Sequence, residues 1–166
     1  MNPVIHIDRA EGTESPDDDS FSCWVTAALD ADPSRVVFEH PELSLRIADR
    51  DEVANLNYGY RGKRGPTNVL SFPADLPDVV ESSLLGDIVI CAPLVIAEAK
   101  AQGKSMQAHW AHLTIHGVLH LLGHDHLDDN EADLMEALET QTLEGLGFKD
   151  PYQTSPHSPE GGVPAS

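Results

Sequence analysis

The sequence has few cysteines, no long apolar run and no leader-like N-terminus. Its two cysteines, Cys23 and Cys91, are far apart and form no Cys-x-x-Cys pair, which favours reduced thiols in a cytoplasmic compartment. The longest apolar run, 88–97, is too short to cross a bilayer and contains Pro93. The first residues lack the basic and apolar segments of a signal peptide. We therefore expect a cytoplasmic protein with no membrane partner.

Basic residues are also scarce, with 10 Lys and Arg against 28 Asp and Glu and a formal net charge of -18. This balance argues against loose, non-specific nucleic-acid binding, and DNA is not an expected partner. The acids crowd into 11–19 and 128–144, which are either solvated faces or docking surfaces for a basic partner protein. Half of the basic residues cluster between positions 46 and 64, namely Arg46, Arg50, Arg61, Lys63 and Arg64.

The length of 166 residues suits one domain with a single core. We assign residues 1–150 to that domain, and the Pro-, Ser- and Gly-rich segment 151–166 is expected to be a disordered tail. Strand-like and helix-like patterns mix without strict alternation, so the sequence predicts the α+β class. The predicted strands are 4–7, 43–47, 68–72 and 84–92, the last apolar enough to be central. The predicted helices begin near Asp17, Asp49, Pro93, Lys104 and Asp128.

Three helix features carry specific expectations. Gly59 is expected to end the second helix, which runs to about Tyr58. Gly123 is expected to end the fourth helix by adopting a left-handed conformation. The last helix, roughly 128–144, is expected to turn three residues inward, namely Leu134, Met135 and Leu138.

The segment HGVLHLLGHDH, residues 116–126, predicts a metal site. His116 and His120 at i and i+4 share one helix face, and a reversal at Gly123 allows His126 to reach the same ion. Three imidazoles leave a fourth coordination position open, which is typical of a catalytic site. They favour one Zn²⁺ per chain, although nickel, copper and iron are not excluded by ligand type.

Four neighbours of these ligands have open roles. His124 is either a proton shuttle or a polar residue at the pocket rim, and Asp125 is a candidate acceptor that orients a ligand. His109 and His112 continue the histidine stripe along the helix. For His109 ordinary packing is the simpler reading, whereas His112 is equally compatible with packing and with a hydrogen bond that supports the ligands.

Gly117 stands where H-E-x-x-H peptidases carry the glutamate that takes a proton from water. A peptidase would therefore need another base, and none is evident. Phosphodiester cleavage fits better, because it needs a metal-polarised oxygen and a cation for the anionic transition state. The glycine-containing loop YRGKRGPTN supplies cations, and Arg61 is suited to a bidentate contact with phosphate.

Four stretches closely resemble the YbeY family of bacterial rRNA-maturation endoribonucleases: YRGKRGPTNVLSFP (60–73), SLLGDIVI (83–90), AHWAHLTIHGVLHLLGHDH (108–126) and EALETQTLEGLGFKDPY (136–152). The resemblance implies a single-strand-specific metallo-endoribonuclease acting in 16S rRNA 3′-end maturation and ribosome quality control. It implies a mixed, mostly parallel four-stranded sheet packed with about five helices, and zinc held by His116, His120 and His126. The functional arginine of the family maps onto Arg61.

The resemblance also implies partners, namely single-stranded rRNA and the small ribosomal subunit with its basic proteins. Lys63 and Arg64 are then expected to bind substrate with Arg61, and Arg61 and His124 are the candidate catalytic residues. The general base is not evident from the sequence. Two alternatives stay open: a zinc metallopeptidase-like hydrolase, and a non-catalytic ribosome-assembly factor that zinc stabilises.

Overall fold

A computed structural model describes residues 3–32, 40–74, 83–124 and 128–148. Four strands form one sheet in the order β1-β2-β4-β3. The strands are β1 (Val4–Arg9), β2 (Glu42–Ala48), β3 (Val69–Pro73) and β4 (Leu84–Cys91). β1 pairs with β2 and β2 with β4 in parallel, whereas β3 joins the edge of β4 antiparallel. The expected mixed, mostly parallel sheet is confirmed, and β4 is a central strand as its apolar sequence predicted.

The described residues contain five helices: α1 (Asp18–Ala31), α2 (Arg50–Arg61), α3 (Ala92–Gln102), α4 (Met106–Leu121) and α5 (Asp129–Gly145). Side chains cap four of the N-termini, because each capping oxygen accepts a backbone N–H that the helix itself leaves without a partner. These residues are Asp17, Asp49, Ser105 and Asp128. The α+β fold class with about five helices is therefore confirmed.

The predicted end of α2 is wrong. The helix continues through Gly59 to Arg61, and Gly62 caps it with a positive φ of 68° while its N–H donates to the Tyr58 carbonyl. An interior glycine costs a helix only about 1 kcal/mol. The caps at Asp49 and Gly62 offset that cost, so the helix continues through Gly59.

The helices cover the two faces of the sheet unequally. The larger core lies where α1, α4 and α5 pack on one face, around residues such as Phe21, Ile88 and Leu119. The smaller core lies on the other face, where Val53 of α2 meets Leu70 of β3. No helix among the described residues has both the length and the apolar character to cross a bilayer.

One core prediction for α5 is also wrong. Leu134 is 49% exposed, whereas Met135 is buried and Leu138 packs partly against the core. The buried face of α5 is rotated away from Leu134 and comprises Met135, Glu139, Thr142 and Leu143. The predicted tail, 151–166, lies outside the described residues, and the domain limits 1–150 stay a prediction.

Candidate metal centre and its surroundings

Helix α4 carries the histidine stripe through the middle of the molecule. Ser105 caps its N-terminus by accepting from the Ala108 N–H, and Gly123 follows its end with a φ of 94°, as the sequence predicted. α4 packs on the sheet and contacts α1, α3 and α5. His109 and His112 of the stripe are therefore buried, whereas His116 and His120 are partly exposed.

His116 and His120 lie side by side at the C-terminal end of α4. Their ring centroids are 4.6 Å apart with an interplanar angle of 74°, and both residues are partly exposed. Rings that close can direct one nitrogen each toward a single ion. The i, i+4 part of the predicted site is thus compatible with shared coordination.

The third predicted ligand, His126, lies outside the described residues, as does Asp125. Within 3–32, 40–74, 83–124 and 128–148, no group of three His, Cys, Asp or Glu side chains is arranged to hold a metal ion. The convergence of three imidazoles therefore stays a prediction. What the structure does describe is how one of the three, His116, is supported.

Glu139 of α5 contacts His116 of this pair, although the sequence predicts either a solvated face or a docking surface for its stretch, 128–144. Its side chain is fully buried, and its two oxygens are bound separately: His112 Nε2 lies 2.7 Å from Oε1 and His116 Nδ1 lies 3.1 Å from Oε2. Burial alone would raise the pKa of Glu139, but the hydrogen bonds from His112 and His116 outweigh it and lower the pKa. Glu139 is therefore an ionised acceptor, and both histidines donate to it.

The sequence does contain a signal for Glu139. It stands four residues after Met135 and four before Leu143, on the apolar face of an otherwise polar helix. A carboxylate at such a position needs buried partners, because an unpaired buried charge is strongly unfavourable. The partners themselves, 23 and 27 residues away, are visible only in the fold.

Gly117 faces the sheet, where a side chain would have to displace Ile88. A Cβ placed on it would lie 2.9 Å from Cγ2 of Ile88 on β4, and its carbonyl accepts a hydrogen bond of 3.1 Å from Ser71 Oγ on β3. The absence of the peptidase glutamate thus has a packing reason. α4 approaches the sheet closely at this point, and a glutamate there would be forced into the core.

His124 is buried and in contact with the end of α1. Its Nε2 lies 2.8 Å from Asp32 Oδ2, and its backbone N–H donates to the Leu119 carbonyl. The ring is therefore fixed rather than loose at a pocket rim. Its role as a proton relay stays a prediction.

The predicted cationic residues Arg61, Lys63 and Arg64 are exposed at the end of α2 and in the loop that follows. Tyr60 packs edge-on against Phe72 with ring centroids 4.5 Å apart. Phe72 and Ser71 point to opposite faces of β3, since side chains alternate along a strand, and Ser71 contacts α4. Tyr60, next to Arg61, and Gly117, next to His116, therefore contact opposite faces of the same edge strand.

The described residues thus combine a mixed α+β fold with two adjacent histidines at the end of a largely buried helix. A family model described as Endoribonuclease YbeY matches residues 6–147. A protein of Methylococcus capsulatus named Endoribonuclease YbeY is 50% identical over 149 residues, which is 90% of this chain and 95% of that relative. The chain belongs to the YbeY family of endoribonucleases.

A solved structure supports the fold independently. TM1509 from Thermotoga maritima, determined in solution, superimposes with a TM-score of 0.57 at 21% sequence identity. The match covers 87% of this chain and 92% of the Thermotoga chain. At that identity the likeness concerns the fold alone.

Proposed function

We propose that this chain is a zinc-dependent endoribonuclease that cuts single-stranded rRNA in the cytoplasm. Its role would be 16S rRNA 3′-end maturation and ribosome quality control. The observation that carries the proposal is the His116–His120 pair, with rings 4.6 Å apart and one ring held from behind by a buried carboxylate. Membership of an endoribonuclease family supports RNA as the substrate.

His116, His120 and His126 are the residues that would hold one Zn²⁺ per chain. The donors fit that ion, because neutral imidazoles suit zinc and a histidine ligand usually donates its second N–H to a carboxylate or carbonyl. His116 makes such a contact to Glu139. When bound, zinc in a three-histidine site supplies Lewis-acid polarisation of a phosphate oxygen or of water.

Arg61, Lys63 and Arg64 would bind the substrate backbone. All three are exposed, and Arg61 follows Tyr60, which packs on the face of β3 opposite to the one that contacts α4, so RNA crossing this edge strand would meet both the cations and the histidines. Arg61 would hold a phosphate through two parallel hydrogen bonds and stabilise its developing charge. Tyr58 and Tyr60, each 61% exposed, offer rings on which unpaired bases stack, which favours single-stranded RNA.

His124 would move a proton during cleavage. Its Nε2 faces Asp32, so the carboxylate fixes the ring, and Nδ1 is the nitrogen that would exchange protons with the reacting groups. Replacing His124 by Asn should then lower the cleavage rate while zinc content stays unchanged. Equal rates for the variant and the parent would remove His124 from the mechanism.

The partner outside catalysis would be the small ribosomal subunit. The acidic start of α5, including Asp129, Glu131 and Asp133, is exposed and suits contact with basic ribosomal proteins. A metallopeptidase is disfavoured by Gly117, whose packing on Ile88 leaves no room for the usual glutamate. A non-catalytic assembly factor would need the same ligands, so activity has to separate the two.

The test combines metal content with cleavage of a single-stranded RNA by the parent, His120→Ala, Arg61→Ala and the control Arg50→Ala. Arg50 is an equally exposed arginine at the opposite end of α2. We expect about one zinc per chain in all but His120→Ala, in keeping with one three-histidine site. Cleavage should be lost in both His120→Ala and Arg61→Ala and kept in Arg50→Ala. Undiminished cleavage by zinc-free His120→Ala would overturn the proposal.

A further inference from the structure

Glu139 is the one fully buried carboxylate among the described residues, and the cleavage chemistry itself does not require it. Removing a charge from water costs several kcal/mol unless hydrogen bonds and opposite charge compensate. A leucine at this position would fill the same space without that cost and would continue the apolar face between Met135 and Leu143. Packing alone therefore does not explain a carboxylate at this position.

The contacts of the two Glu139 oxygens indicate its role. His112 and His116 are one helical turn apart on α4, and the carboxylate spans the turn with one oxygen for each ring. His112 holds Oε1 at 2.7 Å, which prevents the carboxylate from rotating and leaves Oε2 aimed at His116 Nδ1. His112 thus fixes the orientation of the carboxylate, and the carboxylate in turn fixes the orientation of the His116 ring.

We propose that Glu139 is a positioning residue that fixes His116 in the Nδ1–H tautomer, so that Nε2 carries the lone pair for the metal. A neutral imidazole carries one N–H and one lone pair, and an ionised carboxylate accepts but cannot donate. Donation from Nδ1 to Oε2 therefore determines the tautomer. This inference rests on His116 being a zinc ligand, as in the proposed function.

The same contact couples the metal centre to α5. Glu139 is held in place by Met135 and Leu143, which are buried in the main core one turn before and one turn after it. Packing of α5 against α4 therefore fixes the orientation of the His116 ring already in the metal-free protein. Zinc should in turn stabilise the docked position of α5, because coupling between two sites is reciprocal.

The test is Glu139→Gln, which keeps the shape and removes the double acceptor. A glutamine offers one oxygen and one NH₂, so it cannot accept from both rings. We expect zinc affinity to fall by about 10- to 100-fold, the usual effect of losing a carboxylate behind a ligand. Affinity is measured by competition with a chromogenic chelator, and Glu144→Gln, an exposed glutamate on the same helix, should leave it unchanged.

A second readout does not depend on zinc or on the variant folding. In the metal-free parent at pH 8, ¹⁵N NMR of labelled histidine reports the tautomer of His116 directly. We expect Nδ1 to carry the proton. A protonated Nε2, or equal zinc affinity of Glu139→Gln and the parent, would overturn the inference and leave the nuclease proposal standing. A parent that binds no zinc would instead refute the zinc site.

Discussion

Two carboxylates contact histidines of the same helix, α4, and they differ in their surroundings. At the N-terminal end of α4, His109 Nε2 lies 2.9 Å from Glu98 Oε1 of α3. The Glu98 side chain is 32% exposed and also accepts from Asn68 Nδ2. Near the C-terminal end, Glu139 has no exposure and serves His112 and His116 together.

The difference lies in the cost of losing each contact. Water reaches the partly exposed Glu98 carboxylate, whereas Glu139 is closed to water and is the acceptor for two histidines instead of one. Both contacts link α4 to another helix, but only Glu139 contacts a predicted metal ligand, His116.

Replacing each carboxylate by leucine tests this comparison with the largest expected effect. Glu139→Leu leaves the N–H groups of two histidines without their acceptor, at about 1–3 kcal/mol each, so the unfolding free energy should fall by about 2–6 kcal/mol. Glu98→Leu should cost about half as much, about 1–3 kcal/mol, because only one histidine N–H, that of His109, loses its acceptor. Urea unfolding of the metal-free variants at pH 8 measures both. Similar losses would mean that burial does not distinguish the two contacts.

Moving α4 relative to the sheet gives a smaller effect. In Gly117→Ala the new Cβ overlaps Ile88 on β4, and overpacking of this kind costs about 1–3 kcal/mol, partly offset by the better helix propensity of alanine. His116, the adjacent residue, shifts with the helix, so zinc affinity should fall as well. Zinc competition and urea unfolding measure the two effects.

The matched control is Gly59→Ala, where a Cβ on α2 meets nothing within 4 Å. That variant should be neutral or up to about 1 kcal/mol more stable, because alanine favours the helix. A Gly117→Ala protein as stable as Gly59→Ala would mean that α4 can move away from β4 without cost. The reason given above for the missing peptidase glutamate would then fail.

Much of the fold was predictable because local patterns carry it. The strand at 84–92 was apolar enough to be central, and α4 runs Met106–Leu121 against a predicted 104–122. The errors have physical causes. Gly59 was expected to end α2, but Gly62 has the cap geometry, and Leu134 was expected inside, but the α5 face turns toward Glu139 instead.

The candidate site was predictable only in part, for a similar reason. The i, i+4 pair His116 and His120 depends on helical spacing, which the sequence contains. The contacts of Glu139 with α4 and of Asp32 with His124 join positions far apart in the chain. Periodicity says that a position is buried, but it does not say which buried position faces it.

The smallest expected effect concerns how the contact between His109 and Glu98 changes the pH dependence of stability. Burial lowers the pKa of His109, with a lesser lowering from Lys104 and His112 and an opposing influence of Glu98. The unfolded chain therefore takes up this proton at a higher pH than the folded protein does. Stability should fall as pH drops below about 6.5, the ordinary histidine value, and this histidine should contribute nothing to the slope above it.

Replacing His109 by Gln isolates that contribution, since the amide can still donate to Glu98. Urea unfolding from pH 8 to 5.5 should give a shallower loss of stability for the variant than for the metal-free parent. The other histidines titrate in both proteins, so the difference between the two curves belongs to position 109. Parallel curves would mean that Glu98 compensates burial completely. In that case Glu98 would stabilise His109 as strongly as Glu139 stabilises His112, and the two ends of α4 would not differ.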